Sequence, residues 1–151
     1  MKIDEEIKSK FRNEHHKLAV NILYTHSWLD TFFSDKFKEY GLTSQQFNIL
    51  RILRGQHPNI SSIGIIKERM LEKIPDVSRL VDRLVLKGYI ERTPSKEDLR
   101  KVDVLFTQNG LKLLTKIDKA NDEFDAYLQG VNKKEAVELN RLLDKLRNGK
   151  S

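Results

Sequence analysis

The stretch VSRLVDRLVLKGYIER (77–92) changes its hydrophobic period partway along. Val77, Leu80, Val81, Leu84 and Val85 stand at i, i+3, i+4, i+7 and i+8, the spacing that gathers apolar side chains on one face of a helix. Pro75 suits the first turn of such a helix and Gly88 suits its end, so the spacing predicts a helix over 75–87. From Tyr89 to Thr93 the helical period is gone. Pro94-Ser95-Lys96-Glu97-Asp98 is turn-forming, and Val102, Val104 and Phe106 then alternate as in a strand. The prediction is a helix followed at once by a β-hairpin.

Upstream, LTSQQF (42–47) pairs Thr43 with Gln46 at capping-box spacing and Leu42 with Phe47 at staple spacing. A helix runs from there to about Arg54 and stops at Gly55 and the Gln56-His57-Pro58-Asn59 turn. Ser61, flanked by Ile60 and Ile65, is the next N-cap candidate and opens a short helix through Leu71. Two short helices with a few residues between them make a helix-turn-helix, and the hairpin behind them is the wing of a winged helix-turn-helix.

The flanks are helical as well. From Asp4 to Tyr40 there is no Gly or Pro, and Ile7, Leu18 and Leu29, like Phe11, Ile22 and Phe33, recur every eleven residues. Eleven residues are close to three helical turns, so the spacing predicts one long helix over 4–40, capped by Asp4 and ended by Gly41. Thr107 opens a helix carrying Leu114, Ile117, Phe124 and Leu128 to Gly130. Asn132 and Glu135 form another capping box before Ala136, Leu139, Leu143 and Leu146. The expected fold is mainly α, with about six helices and a two-stranded β-hairpin wing, in a single domain over 1–151.

Composition supports a globular chain. Leu, Ile, Val and Phe supply 47 of 151 residues, and no cysteine is present for a disulfide framework, a thiolate metal site or a thiol switch. MKIDEEIKSKF (1–11) alternates charges where a signal peptide needs an apolar stretch, and no apolar run approaches membrane-spanning length. A cytoplasmic location with no membrane partner is the expectation.

Net charge is +6, and its placement is uneven. Residues 1–50 carry 7 basic and 7 acidic side chains, residues 51–101 carry 12 and 7, and residues 102–151 carry 9 and 8. The excess sits in the segment that holds the helix-turn-helix and wing, as expected where one part of a domain faces a polyanion. Burial of the 75–87 helix's apolar face turns Asp76, Ser78, Arg79, Asp82 and Arg83 outward. In a helix-turn-helix the N-terminal half of that helix enters the major groove, where Arg reaches guanine bidentately and Ser meets base or phosphate. Ser78 and Arg79 are the candidates for base contact. The plainer alternative pairs Arg79 and Arg83 with Asp76 and Asp82 on a solvated helix face; the adjoining wing tips the choice toward nucleic acid. Lys96, Arg100 and Lys101 at the hairpin tip can reach the backbone or minor groove, although basic turns also keep edge strands soluble. Arg51, Arg54, Lys67, Arg69 and Lys73 are further cations that are either phosphate contacts or surface charge.

VSRLVDRLVLKGYIER (77–92) and EDLRKVDVLFTQNG (97–110) together resemble the MarR family of bacterial winged-helix regulators, and the likeness extends over 42–115. The family's wing signature is Asp-x-Arg followed five residues later by Leu-Thr; Asp98, Arg100 and Thr107 match it, and Phe106 replaces the Leu. The resemblance implies a DNA-binding region at 42–107 and a helical dimerisation region at 4–40 and 108–148. It further implies a homodimer on a pseudo-palindromic double-stranded DNA operator, acting as a repressor and released by a small aromatic or anionic effector. It gives Asp98 the role of orienting Arg100 or Arg83. Two positions depart from the family pattern. Ile74 stands where a polar capping residue usually precedes the helix, and Leu99 stands in the wing where a basic residue is common.

Dimerisation has an independent argument: the terminal helices carry long apolar stripes that a winged-helix core of about 70 residues cannot cover. A two-fold dimer would set its recognition helices about 34 to 36 Å apart.

No phosphate loop, nucleophile elbow or His-Glu-x-x-His pattern is present, so neither a cofactor nor catalysis is expected. His15 and His16 face different sides of a helix, and His26 lies about 16 Å further along its axis, so one chain does not close a metal site with them. Tyr24, Trp28 and Phe32 could line an effector crevice, but an aromatic stripe at helical spacing is more often core or interface, and no ligand residue is assigned. The expectation is a sequence-specific transcriptional regulator with Asp76, Ser78, Arg79, Arg83, Lys96, Asp98, Arg100 and Lys101 at its DNA surface. A winged-helix protein-interaction module without operator binding is the alternative, supported by Leu99.

Overall fold

The computed structural model describes residues 2–8 and 10–149. Among them the order is α1 (Ile3–Ile7), α2 (Glu14–Lys38), α3 (Ser44–Gln56), β1 (Ser61–Ser62), α4 (Ile63–Arg69), α5 (Val77–Leu86), β2 (Ile90–Pro94), β3 (Val102–Phe106), α6 (Gln108–Asp118), α7 (Asn121–Tyr127) and α8 (Lys133–Asn148). The fold is mainly helical with a winged helix-turn-helix, as expected. It has eight helices rather than about six, and three strands rather than two.

The extra helices come from two interruptions. The long helix expected over 4–40 crosses residue 9, which lies outside the described residues, and α2 begins only at Glu14. Asn13 stops the helix from continuing backwards: its side chain accepts the His16 amide hydrogen at 2.9 Å, and its backbone is extended. Lys8 ends α1 in the left-handed region. Asp4 does not cap α1; it sits in the first turn and bonds Lys17 at 2.5 Å, tying α1 to α2. The helix expected from Thr107 to Gly130 likewise divides into α6 and α7.

Two compact units make up the chain, one through Leu113 and the other from Leu114 onward. In the first, Ile49, Leu50 and Leu53 of α3, Ile66 of α4, Val81 and Leu84 of α5, Ile90 of β2 and Val104 of β3 form the buried core. Phe37 stacks on Phe47 with ring centroids 4.0 Å apart, joining α2 to that core. The second unit carries α8, whose capping box between Asn132 and Glu135 forms as expected and which buries none of its residues.

β3 is the central strand, in the order β1-β3-β2. It pairs antiparallel with β2 from Ile90↔Phe106 to Pro94↔Val102, and with β1 through Ser61↔Val104. Ser61 is therefore a buried strand residue and not the cap of α4. Ser62 takes that role, its hydroxyl accepting the Ile65 amide hydrogen at 3.2 Å. A strand of two residues is too short for alternation to reveal it in the sequence.

Candidate nucleic-acid interface

α5 owes its start to Asp76. The carboxylate accepts the Arg79 amide hydrogen at 3.0 Å, which supplies the cap that Ile74 cannot. The helix consequently runs over Val77–Leu86 and not from Pro75, and seven residues connect it to α4. Val77, Val81 and Leu84 are buried and Leu80 half-buried, leaving Asp76, Ser78, Arg79, Asp82 and Arg83 exposed.

The plainer pairing of these charges does not form. Asp76 is engaged with its own backbone turn, and Asp82 pairs with Arg92 of β2. Among the described residues neither Arg79 nor Arg83 meets a carboxylate at salt-bridge distance. Both guanidinium groups are thus open forks, able to donate two parallel hydrogen bonds to a guanine edge or a phosphate. Lys73 lines the same shallow groove as Arg79 and Arg83, beside Asp76 and Glu72.

The wing is tied to α5 at both ends. Arg92, pairing with Asp82, bridges strand and helix. At the base, the Thr107 hydroxyl donates to the Gly88 carbonyl at 2.6 Å and accepts the Gly110 amide hydrogen at 3.1 Å. That is the physical content of the Thr-Gln-Asn-Gly stretch: one hydroxyl joins the end of α5, the end of β3 and the start of α6. Sequence reasoning missed Arg92, because a contact across ten residues from helix to strand leaves no periodic trace.

At the tip, Ser95 donates its amide hydrogen to the Lys101 carbonyl at 3.0 Å, and Lys101 donates to the Asp98 carbonyl at 2.8 Å. Asp98 Oδ1 accepts both the Arg100 amide hydrogen at 3.1 Å and Arg100 Nε at 3.2 Å. These bonds, the backbone one first, hold the Asp98 carboxyl below its ordinary range, with Lys101 adding attraction. Of the two partners suggested by resemblance, Asp98 meets Arg100 and not Arg83. The Arg100 side chain is still 92% exposed, so its terminal nitrogens remain available. Lys96 and Lys101 are exposed beside it.

The remaining cations sort by position. Arg51 lines a cleft between α2 and α3 together with Asp30 and His26. Lys73 Nζ bonds the Glu68 carbonyl at 3.1 Å and stays near the α5 start. Among the described residues no three His, Asp or Glu side chains gather as metal ligands, and no helix is long and apolar enough to cross a membrane. Ser78, Arg79 and Arg83 on α5 and Lys96, Arg100 and Lys101 on the hairpin are all exposed, and Asp76 and Asp98 each hold a backbone amide of their own segment.

The MarR family model matches residues 42–102, from just before α3 to the first residue of β3. A MarR transcription factor from Planctomyces limnophilus is 30% identical, covers 89% of this chain and 98% of its own, and superposes with a TM-score of 0.68. The HTH-type transcriptional regulator MgrA of Staphylococcus aureus is 29% identical over 86% of this chain and 87% of its own length. In fold, the chain is also similar to a mutant E. coli MarR solved with operator DNA, at a TM-score of 0.81 and 24% identity, covering 91% of this chain and 99% of that one. The chain belongs to the MarR family of DNA-binding transcriptional regulators.

Proposed function

We propose that this chain represses transcription as a cytoplasmic homodimer on a pseudo-palindromic operator and is released by a small aromatic or anionic ligand. The observation that carries the DNA half is the exposed, uncompensated pair Arg79 and Arg83 beside a wing whose tip displays Lys96, Arg100 and Lys101. Ser78 and Arg79 lie on the first turn of α5, where a recognition helix meets base edges, while the wing cations serve phosphates.

The dimer half rests on apolar surface. Leu139, Leu142 and Leu146 lie exposed on one face of α8, and Leu18, Leu23 and Trp28 of α2 are exposed as well; an uncovered apolar face of this kind is covered by self-association in soluble proteins. Each copy of such a dimer would bring its own α5 to one half-site.

The release half rests on a cleft of about 720 Å³ between α2, α3 and the α4–α5 connection. Leu29, Phe33, Phe47 and Met70 give it apolar walls, and Arg51 gives it a cation, with Asp30 and Glu72 also in the lining; an aromatic ring fits the walls and an acid group the guanidinium. Tyr24, Trp28 and Phe32, the sequence candidates for such a crevice, are not among its lining residues. Two hydrogen bonds from its wall hold the α4–α5 connection: Asn48 Oδ1 accepts the Leu71 amide hydrogen at 2.9 Å, and Gln45 Nε2 donates to Glu72 Oε2 at 3.2 Å. A ligand that competes for Gln45 or Asn48 would therefore act on the segment that ends at the Asp76 cap.

Titration of labelled duplex, selected from random DNA, at several salt concentrations tests the reading. A regulator loses affinity with a log–log slope of about −0.9 per neutralised phosphate, and its selected consensus is two-fold symmetric. Negligible affinity at every salt concentration would leave the interaction-module reading instead. Benzoate, with phenol as its neutral counterpart, probes release and the contribution of Arg51 in the cleft.

A further inference from the structure

Leu99 is 83% exposed at the apex of the β2–β3 loop, with Lys96 before it and Arg100 and Lys101 after it. A leucine there adds nothing to the core, and the loop that carries it is fully braced. The Ser95–Lys101 and Lys101–Asp98 backbone bonds close it, Glu97 donates its amide hydrogen to Ser95 Oγ at 3.3 Å, and the Asp98 carboxylate holds the Arg100 amide and side chain. Ser95 itself is buried, anchoring the loop at its first residue. Leu99 is thus presented by a preorganised turn whose exposed charges are Lys96, Glu97, Arg100 and Lys101, with the Asp98 carboxylate engaged by Arg100.

The three neighbouring cations identify the surface that the tip approaches: one bearing phosphates. Between the phosphates of a duplex, the walls of the minor groove are the C–H faces of deoxyribose, the apolar part of the nucleic-acid backbone. A leucine cannot hydrogen-bond to base edges and gains nothing from the enhanced negative potential of a narrow A-tract groove, which favours arginine. It can pack on sugars, by van der Waals fit and removal of apolar area from water. Resting on the DNA-binding reading above, we propose that Leu99 packs against deoxyribose in the minor groove flanking each half-site. There it supplies salt-independent affinity and leaves the wing without preference for A-tracts.

The test compares Leu99→Ser and Leu99→Arg with the unaltered chain on its selected duplex, varying salt and the flanking sequence. Leu99→Ser should weaken binding about tenfold at every salt concentration without changing the slope. Hydroxyl-radical footprinting should show the flanking sugars losing protection in that variant while the major-groove half-sites keep theirs. Leu99→Arg should steepen the slope by about one phosphate and create a preference for A-tract flanks. Unchanged affinity and unchanged sugar protection in Leu99→Ser, with thermal unfolding also unchanged, would overturn the proposal while leaving the regulator reading intact. Failure of that reading has a different signature, namely no salt-dependent duplex binding by the unaltered chain.

Discussion

Gly110 is the position where a single atom matters most. A Cβ built there would run into the Tyr89 carbonyl oxygen and lie 2.9 Å from Phe106 Cδ1, and neither backbone nor a packed ring can retreat cheaply. Gly110→Ala should destabilise the fold by about 3 kcal/mol or more, read as a lower urea midpoint at unchanged m-value. Arg79 and Lys96 separate by chemistry. Arg79→Ala should lower operator affinity and relax preference at one base position by about 1 to 3 kcal/mol, whereas Lys96→Ala should weaken binding to all sequences alike. Equal losses on operator and random DNA for Arg79→Ala would contradict its assignment to base contact. Asp98 carries a pH prediction. Its folded pKa is depressed by Arg100, so its bracing of the loop is complete above the unfolded value near 3.9 and is lost as pH falls through the lowered one. Protection of the Arg100 amide from hydrogen exchange should therefore hold from pH 8 to 5, and Asp98→Ala should remove it at every pH in that range.

At the scale of elements, α5 depends on a cap that the sequence pattern assigned to a different role. Asp76 was a candidate for the DNA surface because it is polar and turned outward; in the structure its carboxylate is occupied by the Arg79 amide. Asp76→Ala should cost about 0.5 to 2 kcal/mol of stability and weaken DNA binding through fraying of the turn that carries Ser78 and Arg79. Asp76→Ser keeps a capping oxygen and removes a negative charge beside the proposed phosphates, so it should retain stability and bind at least as tightly. Loss of binding in both variants with stability unaffected would instead assign Asp76 a direct DNA contact. The same logic of local hydrogen bonds explains the split of the first helix: Asn13 followed by Glu14, with His16 three residues after Asn13, is an N-cap signature inside an otherwise uninterrupted apolar stripe. The eleven-residue recurrence of Ile7 and Leu18 spans that break.

For the whole molecule the decisive quantity is apolar area left uncovered on one copy. Leu139, Leu142 and Leu146 share a face of α8, and none is buried. Leu142→Glu places a charge on that face and should shift a dimer toward monomer in sedimentation equilibrium, with operator affinity falling toward that of a single half-site. A monomeric unaltered chain at micromolar concentration, or a dimer indifferent to the charge, would sink the proposed role of α8.

The helix-turn-helix and its hairpin were legible in the chain itself, because hydrophobic period, capping residues and Gly or Pro stops act over a few residues and need no distant partner; the two-residue β1 and the breaks before α2 and α7 were not. The family likeness was legible for the same reason: Asp98 and Arg100 bond each other two residues apart at the wing tip, and Thr107 bonds Gly110 three residues on at its base, so each pair is a local signature. Tertiary structure alone decided what each outward charge meets. Asp82 finds Arg92 across ten residues, Arg79 and Arg83 are left open, Arg51 turns to a cleft, and Ser61 enters a sheet through Val104. Such partners depend on how elements pack after they form, and separation along the chain carries no record of it.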